Sequence, residues 1–125
     1  MTKRKLAALV LLPILLAALC GCPSVVNTAR DTAAALNGAI VAAQTQHQAS
    51  CTANPTQTAC TTINKAIDGQ NVLVSAIQTY CGWSPATPPA NPQAACVPVS
   101  SALAGLNQAV ANANTLIPEV KGLVQ

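Results

Sequence analysis

Three stretches of the chain place apolar residues at alternating steps of three and four, a spacing that only a helix turns into one continuous face. The first is Val26, Ala29, Ala33, Leu36, Ile40, Ala43 and His47. The second is Ile63, Ile67, Gln70, Val74, Ile77 and Cys81, flanked by Ala66, Leu73 and Tyr80. The third is Val99, Leu103, Leu106, Val110, Ala113 and Ile117, flanked by Ala102, Ala109 and Leu116. Strand-like alternation is absent. The pattern predicts helices over 25–50, 61–80 and 99–117 with coiled-coil-like seams. Short connections favour antiparallel neighbours, so the expected fold is all-α: an up-down-up three-helix bundle.

The side chains available to such a bundle are small. There is no Phe, one Trp and one Tyr, which leaves Ala, Val, Ile and Leu to fill the interior. Each buries little area, at roughly 25 cal/mol per Å². A domain of this size built so is marginal and gains from covalent staples. Gly38, Gly69 and Gly105 fall inside the predicted helices, at a cost of about 1 kcal/mol each against Ala. Close helix approach is the compensation they would offer. The second and third segments also align at an offset of 36 residues, Ala66 with Ala102, Gly69 with Gly105 and Val74 with Val110. Patterning shared by two helices of one bundle, or an internal repeat, would produce this match.

Residues 1–22 read MTKRKLAALVLLPILLAALCGC. Lys3, Arg4 and Lys5 precede an apolar run, Leu6 to Leu19, of 14 residues. A spanning helix needs about 20, and Pro13 interrupts this one. The segment has the build of a secretory signal. Its end, Leu19-Cys20-Gly21-Cys22, resembles the lipobox of bacterial lipoproteins, which is Leu, a small residue, Gly or Ala, then the lipidated Cys. Cys20 takes the small-residue position. The resemblance implies that residues 1–21 are a removed signal peptide and that 22–125 form a single small helical domain. It also implies a diacylglycerol and an N-acyl chain, such as palmitate, on Cys22. Pro23 and Ser24 follow, in place of the Asp that the family associates with inner-membrane retention, so the outer membrane is implied where a cell has two. No second run of spanning length follows, so lipid is the expected anchor. The alternatives are an uncleaved short anchor and an ordinary cleaved signal, which would want small residues at both −3 and −1.

Under that implication Cys51, Cys60, Cys81 and Cys96 remain as an even set in an exported protein. The segment CTANPTQTAC carries the turn signal Asn54-Pro55 between the first two. The Pro-rich loop 82–98 lies between and beyond the other two, with Pro85, Pro88, Pro89, Pro92 and Pro98. A middle helix of about 20 residues is roughly 30 Å long. A disulfide needs Cα atoms within about 7 Å. Crossed pairings would break the bundle, so Cys51–Cys60 and Cys81–Cys96 are expected, each contributing about 3 kcal/mol in the chain-entropy model. The spacings contain no C-x2-C pair, which argues against zinc.

The formal charge of +3 is that of the leader. After residue 22, Arg30, Lys65 and Lys121 cancel Asp31, Asp68 and Glu119. A nucleic-acid binder needs a basic stripe, and this chain has none. No Ser-His-Asp set, phosphate-binding Gly loop or metal-ligand cluster is present, so neither an enzyme nor a cofactor beyond the lipid is expected. Asp31 is expected to pair with Arg30 or to cap the first helix near Thr28. Asp68 is expected to interact with Lys65. His47 is expected as a half-buried polar residue near a helix end, or in contact with the C-terminal dipole.

Both aromatic residues, Tyr80 and Trp83, fall beside Pro85, Pro88 and Pro89. They are either local packing over the Cys81–Cys96 bridge or a contact patch for a membrane or a membrane-proximal protein partner. With only Pro23 and Ser24 after the lipid, the first helix leaves the membrane and the second returns. That puts the Trp83 loop at the membrane-proximal pole and Cys51–Cys60 at the distal one. The expected function is therefore a non-enzymatic envelope lipoprotein, structural or protein-binding. The alternatives are a carrier of a small apolar ligand, which an Ala-rich core disfavours, and a prophage- or plasmid-type lipoprotein that masks a surface receptor.

Overall fold

The computed structural model describes residues 23–84, 86–87 and 96–124. The leader with Cys22, and Pro85, Pro88 and Pro89, lie outside the described residues. Among the described residues three helices form the fold: α1, Pro23–Ala53; α2, Thr58–Tyr80; and α3, Leu103–Lys121, entered through a 3₁₀ turn at Ser100–Ala102. Each helix packs on both others. The all-α bundle expected from the apolar spacing is the fold observed. Both cysteine pairs are joined as the bundle geometry requires, Cys51 to Cys60 with Cα atoms 5.6 Å apart and Cys81 to Cys96 at 4.5 Å.

The helix ends differ from the sequence expectation, and each difference has a local cause. α1 opens on Pro23, where the missing N–H is no loss. Thr28 and Asp31 therefore lie well inside α1, and neither is its N-cap. At its other end α1 runs past residue 50 to Ala53. Asn54 then turns the chain: its side-chain oxygen accepts from the Thr56 hydroxyl at 2.7 Å and from the Thr56 N–H at 3.3 Å. α3 runs through Pro118 to Lys121 instead of stopping at 117. Val120, fully buried, anchors that last turn in the core, and the Gly122 N–H reaches the Pro118 carbonyl at 3.0 Å.

In α1 the expected seam is the buried one, with Val26, Ala29, Leu36, Ile40 and Ala43 all in the core. In α2 and α3 the seam is rotated by one residue over much of its length. The buried α2 residues are Cys60, Ile63, Ala66, Leu73, Ile77 and Tyr80, while Val74 is 39% exposed and Ile67 only partly buried. The buried α3 residues are Leu106, Ala109, Ala113, Leu116 and Val120, with Val110 and Ile117 at the margin. Adjacent apolar pairs, such as Ala66-Ile67 and Ala109-Val110, support either phase in the sequence. The phase adopted puts Ala and Gly at the α2–α3 contact and lets the backbones come close. Gly69 shows how close: a methyl group there would overlap Leu116 Cδ1. Gly38 and Gly105 face open space, so the 36-residue alignment matches glycines in unlike surroundings. Lys65 also departs from expectation. It pairs across the α2–α3 contact with Glu119 at 3.1 Å, rather than with Asp68 on its own helix. The pair is exposed and contributes little.

Candidate functional site: the Trp83 pole and the distal groove

α2 ends in a Schellman motif. The Gly82 N–H bonds to the Thr79 carbonyl at 3.2 Å, and the Trp83 N–H bonds to the Gln78 carbonyl at 2.9 Å. Gly82 has φ +66°, a conformation that a side chain would strain. The returning chain is pinned below it by Val99, whose N–H donates to the Tyr80 carbonyl at 2.7 Å. The apolar spacing alone does not mark this stop; Gly82, one residue past the last seam position, is the signal that could have found it.

Tyr80 lies inside this turn with no exposed surface. It is a core residue, which corrects its assignment to a contact patch. The cause is the rotated α2 seam, which carries position 80 inward. Trp83 is half-buried and packs, with Cys96, against the core cluster that includes Cys81. The Arg30 guanidinium lies over its ring, 5.6 Å from the centroid. Such a stack contributes about 0.5–1 kcal/mol at a partly exposed site. It also ties the loop after α2 to the first third of α1. Arg30 follows Pro23 by seven residues, about 10 Å of helix rise. Trp83 and the start of α1 therefore share one pole of the bundle. Sequence spacing brings out Trp83 but not Arg30, because the contact crosses between helices.

At the opposite pole His47 is half-buried, and its Nε2–H donates to the Leu123 carbonyl at 2.9 Å. The side chain thus clasps the segment after α3 to the end of α1. An open groove of about 550 Å³ lies beside it, between α1 and α2. Its walls include Val41, Ile63 and the Cys51 and Cys60 side chains, with the amides of Gln44, Gln48 and Asn64. Apolar spacing did not mark this groove: of its lining only His47 and Ile63 belong to the seams, and Gln44, Thr45, Gln48, Thr52 and Asn64 lie outside them.

No protein-family model, curated protein or solved structure matches the chain. What the protein does has to be read from its own residues. Among the described residues no group of three His, Cys, Asp or Glu side chains is placed to hold a metal ion. No described helix is long and apolar enough to cross a membrane. Among the described residues one buried polar side-chain atom lacks a partner, the Gln70 Oε1 of α2.

Proposed function

We propose that this chain is exported, cut before Cys22 and lipidated there, and held on a membrane as a non-enzymatic module that acts by structure or by binding a membrane-proximal protein. The outer membrane is the site where the cell has two. The observation that carries this reading is Leu19-Cys20-Gly21-Cys22 set directly before Pro23, the first residue of α1. The domain would then stand on its anchor with no linker. Two disulfides suit an oxidising compartment. The one imidazole holds the chain end through Nε2, which favours a structural part for it over a catalytic one.

Cys22→Ser tests the anchor. The expected result is an unprocessed precursor that incorporates no fatty acid. Normal acylation of that variant would overturn the assignment.

A second reading is favoured by the groove beside His47, which has room for a small ligand. Its uncharged amide lining suits a neutral polar molecule better than the apolar one expected from sequence. Mass spectrometry of gently extracted protein separates the two: a stoichiometric small molecule supports the carrier, and a discrete crosslinked protein supports the partner.

A further inference from the structure

Resting on the second reading, that the groove beside His47 holds a neutral polar molecule, we propose that its ligand is a sugar bearing an acetamido group. The amides of Gln44, Gln48 and Asn64 take the acetamido group and the hydroxyls. Val41, Ile63 and the Cys51–Cys60 bridge take the methyl group and the C–H face of the ring.

The groove, at about 550 Å³, lies in the usual range for small-molecule sites, about 300–1,000 Å³. Gln44 and Gln48 line it from α1 and Asn64 from α2, and none of these amides has a hydrogen-bond partner among the described residues. Each offers two N–H donors and a carbonyl acceptor. Thr45 and Thr52 stand on the same wall and donate their hydroxyl hydrogens to the Val41 and Gln48 carbonyls of their own helix, both at 2.8 Å. Their oxygens stay open as acceptors. No Lys, Arg, Asp or Glu lines the groove, so an ionised ligand would lose water without gaining a counter-charge. No aromatic ring lines it either, which removes the stacking that a base or an aromatic ligand uses. A neutral sugar fits these walls, because each of its hydroxyls both donates and accepts.

Spacing selects the acetamido group. Gln44 and Gln48 are neighbours on one face of α1, about 6 Å apart along the axis. The N–H and C=O of a trans amide point in opposite directions, so two separate side-chain amides are needed to satisfy both. The methyl group needs an apolar seat, and Val41, 51% exposed on the groove wall, has apolar surface to cover. The walls are also held in advance. Cys51–Cys60 joins the end of α1 to the start of α2, and His47 is tied to Leu123. A preformed groove binds without the cost of ordering its walls.

The test titrates isotope-labelled full-chain protein in detergent and follows its side-chain amide signals by NMR. The probes are N,N′-diacetylchitobiose, cellobiose, which keeps the linkage without the acetamido groups, and acetyl-alanyl-alanine methylamide. Saturable shifts at Gln44, Gln48 and Asn64 are expected with the first probe, and weaker binding with cellobiose. Gln44→Leu and Gln48→Leu should each raise the dissociation constant about fivefold. Gln46→Leu, exposed on the same helix but off the groove, should leave it unchanged. Circular dichroism and intact disulfides verify folding of the variants. Cellobiose binding as tightly as the acetamido sugar, or unchanged affinity in both groove variants, would overturn the assignment. Saturable shifts with the capped dipeptide and none with either sugar would give the groove to a peptide and leave it a site for a neutral polar molecule. No saturable shift with any probe, beside a stoichiometric small molecule in gently extracted protein, would overturn the sugar and leave the carrier standing. No shift and no bound molecule would overturn both.

Discussion

Gly69 and Gly105 look interchangeable in the sequence, and the fold separates them. A methyl at Gly69 meets Leu116, while Gly38 and Gly105 are open to solvent. Gly38→Ala and Gly105→Ala should each stabilise the protein by about 0.5–1 kcal/mol, because Ala lowers the conformational entropy of the unfolded chain and favours the helix. Gly69→Ala should fall below both in denaturant midpoint, since the same helical gain is offset by displacing Leu116 in a closely packed core. Equal midpoints for all three would mean that the α2–α3 approach is looser than described. Tyr80 teaches the same lesson. Its residue type suggests a surface role, but one residue of seam rotation decides that it is buried.

For whole helices the sequence was more informative. Period and loop chemistry were enough for three helices, their antiparallel order and both disulfides, because each follows from local spacing and from a length that forbids crossed pairing. The exact seam was not legible. Neighbouring apolar residues in α2 and α3 satisfy two phases equally, and only packing against a third helix chooses between them. The Arg30–Trp83 stack and the His47–Leu123 bond were hidden for the same reason, since both join residues distant in the chain. His47→Ala should cost about 1 kcal/mol and speed amide exchange at residues 121–124, with the α2 amides unaffected. Slow exchange there in the variant would show that the tail is held by other contacts. Replacing Cys81 and Cys96 together by Ser should lower the unfolding free energy by about 3 kcal/mol. It should also release the return segment, which Val99 pins to Tyr80. A change below about 1 kcal/mol would mean that helix packing alone holds that loop, against the chain-entropy expectation.

As a whole, the molecule has two unlike ends. One joins the start of α1 to the Arg30–Trp83 stack, and the other joins the Cys51–Cys60 bridge, the groove and the clasped chain end. With charges after residue 22 balanced, no large field orients such a body at an anionic surface. In the proposed reading an anchor and local contacts would orient it, and the anchor is the claim on which orientation, partner access and compartment all depend. Mass spectrometry of the N-terminal peptide from membrane-purified protein tests that claim most directly. The account predicts a peptide beginning at Cys22 that carries a diacylglyceryl group on the thiol and an acyl chain on the amine. A peptide that still contains Lys3 to Gly21, or one with an unmodified Cys22, would contradict it.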